Sequence, residues 1–462
     1  MTGSLKRRAP RLAGGGNRRR SVANTRERAR KTPARLGWRG WLKALGPGLV
    51  TGSADDDPSG VATYAQAGAQ YGYAAVWTAP VVLPMMIAVQ EMCDRTATAT
   101  GETLGKLARR RFGRAGAIVV GILLLCLLVA NIVNVGADLM AVGKGMELLG
   151  AGPSQLWAPI AGVGLGVLLM TGSYKLVSKV FIWLCLALFA YVVVMFLAGV
   201  QWNEVLAGLT FQRLDPNLQF WGLVAGVFGT SISPYLFFWE SGQRIEEMRA
   251  KSEKGDRPAA DTDIPDYKAI RRRRQQRIDV VTGMTVSVLI MFAIIVATGA
   301  TIGRHPTDIN SAADAAQALK PVAGPLAGAV FALGFIGTGL LGVPVLASAA
   351  CIGFSGLTGK NWGFDRSPRK APLFYGLLVA GLVVGTILSA LFTDAIALLV
   401  LSAMINAIAA APFLIVVLLI AGSRRIMGDR ANRALSSTIG WATAAIMAAA
   451  GVMAIWAQLS GS

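Results

Sequence analysis

The chain has 462 residues, 54% hydrophobic and 15% charged, with 54 glycines, a mean hydropathy of +0.52 and a formal net charge of +20. Long apolar stretches recur along nearly its whole length, which excludes a string of soluble domains and points to one membrane domain. Cys93, Cys126, Cys185 and Cys351 lie in or beside apolar spans with no CxxC pair, which argues against a disulfide framework and a zinc site.

Residues 1–43 carry fourteen Lys and Arg against one acid, Glu27. They read as a disordered cytoplasmic tail that touches anionic lipid rather than as a nucleic-acid module, because interleaved aromatics and a folded motif are absent. A secretory signal would need an apolar core directly after a short basic start. The N-terminus is therefore expected to stay inside.

Apolar segments follow at approximately 45–69, 73–92, 115–140, 156–172, 177–200, 219–241, 280–303, 325–352, 372–392, 395–421 and 437–458. Each is near the ~20 residues that a spanning helix needs, so the expected class is an all-α integral membrane protein of about eleven transmembrane helices. With the N-terminus inside, 41 of the 45 Lys and Arg fall on the cytoplasmic side, which satisfies the positive-inside rule. That orientation puts the C-terminus outside, in a multi-pass protein of the cell membrane. The loop 242–279, with Arg271 to Arg274, reads as a solvated cytoplasmic connector and topology anchor that can touch anionic lipid. The outside loop 304–324 starts with the only histidine, His305, read as a surface residue.

Two segments are interrupted. In the first, Ala54-Asp55-Asp56-Asp57-Pro58-Ser59-Gly60 places three carboxylates and a helix breaker inside an apolar run. Ionisable residues at bilayer depth are costly and mark sites, and non-helical backbone survives there only in protein or beside a polar cavity. In the sixth, Gly229-Thr230-Ser231-Ile232-Ser233-Pro234-Tyr235 is a similar break. From Leu45 to Ala54, and from Phe220 to Thr230, the rise is about 15 Å in each case, half of a ~30 Å core. Two breaks at mid-membrane, five segments apart and opposite in direction, fit an inverted repeat with broken helices one and six. Repeat one is expected at about 44–200, repeat two at about 219–421, and an extra helix at about 437–458. Each first half-helix directs unpaired carbonyls and its negative dipole end into the site, and both favour a cation.

These residues resemble the NRAMP (natural resistance-associated macrophage protein) family of divalent-metal transporters over roughly 44–435. The resemblance rests on Gly46-Pro47-Gly48, the Asp57-Pro58 break, Ala137-Asp138-Leu139 and the Pro234 break. It implies two inverted five-helix repeats of LeuT-like type. The family motif Asp-Pro-Gly-Asn is here Asp57-Pro58-Ser59-Gly60, so the ligand asparagine is absent. Met-Pro-His is here Ser233-Pro234-Tyr235, so the thioether and the histidine are absent, and Ala141 stands where the family has a glutamate. With Ile405-Asn406, this pattern is most similar to the NRAMP-related magnesium transporter branch.

Chemistry points the same way. Oxygen ligands suit Mg²⁺ and Mn²⁺, thioethers suit softer metals, and Mg²⁺ is usually held with several waters still bound. Asp57 is the expected main ligand, with the Ala54 and Thr230 carbonyls, the Ser233 hydroxyl and Asn406 as further oxygens, and with small Gly60 leaving room for water. The alternative for Asp57 is a cap on the second half-helix. Asp55 and Asp56 point to other faces of the helix and are expected to shape the vestibule potential. By resemblance Asp138 occupies a proton-path position, the alternative being a polar interhelical lock, and Tyr235 lines the site. Without the family glutamate and histidine, passive uptake is the simpler expectation.

The leading reading is a secondary transporter importing divalent cations, Mg²⁺ or Mn²⁺, by alternating access, with no cofactor and no covalent chemistry. An organic-solute or amino-acid symporter on the same fold and a non-transporting metal sensor are the alternatives. No nucleophile and base motif supports an enzyme.

Overall fold

The computed structural model describes residues 46–171, 184–185, 188–215, 217–252, 258–301, 327–392 and 395–460. The basic tail, most of the fifth apolar segment before residue 188, and the outer loop with His305 lie outside the described residues.

The first interrupted segment forms α1 (Pro47–Asp55) and α2 (Pro58–Tyr71). Then come α3 (Thr78–Thr100), α4 (Leu104–Leu148), α5 (Ser154–Thr171), α6 (Phe189–Leu197) and α7 (Trp202–Leu209). The second interrupted segment forms α8 (Leu218–Ser231) and α9 (Pro234–Ala250). The chain continues with α10 (Asp266–Thr301), α11 (Ala327–Thr358), α12 (Pro372–Leu391), α13 (Ala395–Ala421) and α14 (Ala434–Ser460).

Among the described residues, eight helices are long and apolar enough to cross a membrane, with α8 and α9 counted as one. Three of the eleven expected spans are not in that count. The first span is cut into pieces of 9 and 14 residues, α3 carries Glu91, Asp94 and Arg95 in its second half, and the fifth span is only partly described. The fold is the all-helical inverted 5+5 repeat with broken first and sixth spans.

The two breaks have the same backbone design. Asp56 (φ −86°, ψ 47°) and Asp57 (φ −64°, ψ 170°) separate α1 from α2, and Ile232 (φ −122°, ψ 51°) and Ser233 (φ −76°, ψ 134°) separate α8 from α9. In both, a proline opens the second half-helix, where its missing N–H costs nothing and its fixed φ suits the first turn. The half-helices pack on different neighbours: α1 and α2 lie along α10, whereas α9 lies against α3 and α11, and α8 against α13 and α14.

Glycines bring α1 and α10 into backbone contact. A Cβ at Gly52 would meet the Gly283 carbonyl oxygen at 2.1 Å, and one at Gly283 would meet the Gly48 oxygen at 1.9 Å. Small residues at such crossings let membrane helices pack where no hydrophobic force drives them together. The glycine run of α11 has the same use, and Gly339 approaches the Asp138 carbonyl and Val142. The lipid-facing stripe of α4 exposes Ile118, Val119, Ile122, Leu125 and Val129.

The segment 242–279 differs from the expected solvated connector. Residues 242–250 continue α9 with Gly242, Arg244, Ile245 and Glu246 buried, and 266–279 already belong to α10. The loop proper is short and holds one turn of 3-10 helix at Asp261–Asp263. The reason is ionic. Arg244 contacts Asp94 of α3 at 2.5 Å, Glu247 at 2.5 Å, Asp279 of α10 at 2.8 Å and Glu240 at 3.6 Å. The Asp279 carboxylate in turn accepts the N–H groups of Gly46, Gly48 and Leu49 at 2.7, 3.0 and 3.2 Å. These orphan donors at the start of a helix need an acceptor, so the charge-rich stretch folds inward to clasp the free end of α1.

Candidate cation site

Asp57 lies where the two breaks meet. As the N-cap of α2, its Oδ1 accepts the Gly60 N–H at 2.9 Å and the Ser59 hydroxyl at 2.5 Å. Its Oδ2 faces Asn134 Nδ2 of α4 at 3.2 Å and the Tyr235 hydroxyl of α9 at 3.0 Å. The same hydroxyl is 3.3 Å from the Ala54 carbonyl, so one proton is shared between a carboxylate and a buried carbonyl near the end of α1. Gly60 fits the turn closely: a Cβ there would come within 3.2 Å of the Asp55 carbonyl and 3.3 Å of the Tyr64 ring, so either neighbour would have to shift slightly.

Across the joint, Tyr64 of α2 meets both Ser231 Oγ at 3.0 Å and Thr230 Oγ1 at 3.3 Å. Thr230 and Ser233 are otherwise engaged within their own break. Ser233 Oγ donates toward the Gly229 and Thr230 carbonyls at 2.9 and 2.7 Å, and Thr230 Oγ1 donates toward Val227. Asn406 of α13 is buried. The thioether of Met291 on α10 takes a contact of 3.8 Å from Ser231 Oγ.

Asp55 and Asp56 turn away from these groups toward α10. Ser287 Oγ is 2.9 Å from Asp55 Oδ2 and 3.5 Å from Asp56 Oδ1, so one hydroxyl serves two buried carboxylates. Among the described residues no three His, Cys, Asp or Glu side chains converge as a metal-binding group.

Asp138 of α4 approaches the joint from the α11 side. A Cβ at Gly342 would be 2.7 Å from Asp138 Oδ2 and 3.1 Å from the Asp57 Cβ, so this glycine is the thin wall between the two carboxylates. Asn131, one of the two asparagines before it, donates to the Leu346 carbonyl at 2.9 Å. Asp55 Oδ1, Asp56 Oδ2, Asn134 Oδ1 and both Asp138 oxygens are buried acceptors with no hydrogen-bond donor among the described residues. Unpaired buried acceptors are costly, and a set of them around a helix break favours positive charge. Ser59, Asn134 and Ser287 were not among the expected site residues. Their signal is weak because Ser and Asn occur throughout membrane helices, bonded to the preceding turn or to neighbours.

The model of the natural resistance-associated macrophage protein-like (Nramp) family matches residues 48–457. The chain belongs to the Nramp family. The divalent metal cation transporter MntH of Deinococcus radiodurans is 27% identical over 442 residues, covering 94% of each chain. That of Mycobacterium tuberculosis is 26% identical over 430 residues, with 90% of this chain and 92% of the relative covered. Among solved structures, a mutant of the Eremococcus coleocola manganese transporter superposes with a TM-score of 0.74 at 14% identity, over 93% of this chain and 89% of that one. The nucleobase-cation-symport-1 transporter Mhp1 superposes with a TM-score of 0.52 at 17% identity, over 89% and 90%. This Nramp chain is thus a multi-pass membrane protein and not an enzyme.

Proposed function

We propose that the chain is a secondary transporter that imports divalent cations, Mg²⁺ and Mn²⁺, by alternating access, with its N-terminus in the cytoplasm and its C-terminus outside. The observation that carries this reading is the joint at Asp57. There a buried carboxylate and the Ala54 carbonyl converge on one phenolic hydroxyl, and the breaks 54–60 and 230–235 contain neither Met nor His. The breaks themselves supply only oxygen, with the Met291 thioether of α10 reaching Ser231 from outside them, and oxygen donors suit a hard cation that keeps part of its water shell. The names of the relatives support divalent-metal transport in general; the preference for Mg²⁺ is this chain's own, argued from its departures.

Asp57 is both cap and ligand in this scheme. Asp138, behind Gly342, adds negative potential, and so do Asp55 and Asp56. The missing glutamate and histidine favour uptake driven by membrane voltage without proton exchange. Purified protein in proteoliposomes, loaded with a pH dye and offered Mg²⁺, Mn²⁺ or Ca²⁺, tests both halves. Uptake of Mg²⁺ and Mn²⁺ without acidification is expected. Acidification coupled to Mn²⁺ entry removes the uncoupled part, and uptake indifferent to Asp57→Ala removes the site.

A further inference from the structure

Away from the cation site, a groove of about 610 Å³ opens between the end of α3, the start of α10 and the connection leading into α14. Its two ends differ in chemistry. Pro84 and Ile87 of α3, Val280 and Val281 of α10, and Leu435 and Ile439 of α14 line one end. Arg95, Arg273, Arg277, Arg430 and Arg433 line the other, five cations against the three acids Glu91, Asp94 and Asp429. The three helices run the same gradient. From Arg95 back to Ile87, and from Arg273 on to Val281, the rise is about 12 Å at 1.5 Å per residue. The groove thus passes from a cationic rim at the helix ends to an apolar floor one to two turns deeper.

The rim charges are not all spent within the protein. Arg95 pairs with Glu91 at 3.4 Å, and Arg273 and Arg430 share the Asp261 carboxylate at 3.0 and 3.3 Å. Asp94, on the same wall, is taken by Arg244. Arg277 and Arg433 are exposed and make no ion pair among the described residues. The apolar side is equally open: Leu435 is 73% exposed at the head of α14.

We infer that this groove is a binding site for an anionic diacylphospholipid, with its phosphate between Arg277 and Arg433 and an acyl chain along Ile87, Val281 and Ile439. Arginine is suited to phosphate through its forked donors, and a basic pocket between membrane helices matches an acidic headgroup. The chain's own residues 1–43 are a poor occupant, since fourteen cations against one acid would meet a rim of the same sign. The apolar floor separates a lipid from a free anion, which has nothing to place there. A lipid seated here would bridge α3, α10 and α14, the first two of which carry Asp94 and Asp279 of the four acids around Arg244.

The test is native mass spectrometry of the full chain released from detergent, with phosphatidylglycerol or phosphatidylcholine added back. The wild type is expected to keep one phosphatidylglycerol that survives collisional activation, and phosphatidylcholine is not expected to replace it. The Arg277→Gln/Arg433→Gln double variant should hold it about ten- to thirty-fold more weakly, as the loss of two interfacial cations implies. Arg277→Glu should do the same by repulsion. Because both residues are exposed and unpaired, Mn²⁺ uptake by these variants verifies that they fold. Equal retention by wild type and double variant overturns the assignment, as does full displacement of the lipid by millimolar inorganic phosphate, which would make the groove a free-anion site.

Discussion

Tyr235 and Asp57, 178 residues apart in the chain, meet at 3.0 Å where the two broken spans cross. The tyrosine proton is shared with the Ala54 carbonyl, so the hydroxyl occupies the two oxygens best placed to receive a cation. A bound ion has to displace that donor or turn it so that its lone pair faces the ion. Tyr235→Phe removes the competitor, and the variant is expected to bind Mn²⁺ about tenfold more tightly, in line with the ~1.5–3 kcal/mol of a hydrogen bond to a charged group. Calorimetric titration reads the change. Weaker binding would instead make the hydroxyl itself a ligand or a water holder.

Asp57 combines two roles that substitution separates. Asparagine retains an oxygen for the Gly60 N–H but loses the charge, whereas alanine loses both. Asp57→Asn is therefore expected to unfold near the wild-type temperature while failing to take up Mn²⁺. Asp57→Ala should fail in uptake and also lose about 1 kcal/mol of stability, the usual worth of an N-cap. Thermal unfolding in detergent, run beside uptake, resolves the two. If Asp57→Asn transports normally, the carboxylate is only a cap.

Much of this arrangement is legible in the sequence, and the reason is cost. Carboxylates and prolines are so unfavourable in an apolar helix that Asp57-Pro58 and Ser233-Pro234 announce the breaks without any structure, and their opposite directions announce the repeat. The Arg244 cluster is not legible in that way. Residues 242–279 have the composition of a solvated loop, and only the position of Asp94 on another helix turns Arg244 inward. Asn134 and Ser287 are hidden for the opposite reason, since a lone small polar residue on a membrane helix is too cheap to signal anything. The sequence also leaves the partners of Asp55 and Asp56 open, because helical spacing shows that they leave Asp57 but not what they reach.

Among the described residues Ser287 supplies the hydrogen-bond donor to both of those aspartates, so its loss leaves two adjacent buried carboxylates without it. Ser287→Ala is expected to lower stability by about 1–3 kcal/mol. Removing one of the two acids should relieve most of that. The double variant Ser287→Ala/Asp56→Asn should recover part of the loss, giving a coupling of roughly 1 kcal/mol between contacting residues. Additive losses in that cycle would show that the hydroxyl and the carboxylates do not act together.

The Arg244 cluster makes a prediction about motion. Four acids converge on one guanidinium, and through Asp279 they hold the amide groups that begin α1. Thr51 of α1 also donates to Glu240 and thereby ties the next turn of the half-helix to the same cluster. Removing the cation from such a buried set leaves uncompensated charge, a change that typically costs ~3–5 kcal/mol. Repulsion among Asp94, Glu240, Glu247 and Asp279 should then push α1 and α9 away from α3 and α10. Cys93, buried beside Asp94, reports on that opening. In Arg244→Gln it is expected to react with a membrane-impermeant maleimide at least tenfold faster than in the wild type, as read by peptide mass spectrometry. Buried Cys351, on α11, should keep its rate and so separates local opening from general unfolding. Asp279→Asn, which retains an oxygen for the α1 amides and removes one of the repelling charges, should accelerate Cys93 far less. Equal rates in wild type and Arg244→Gln would mean that the glycine contacts of Gly48 and Gly52 with α10, and not the ion cluster, hold the half-helix shut.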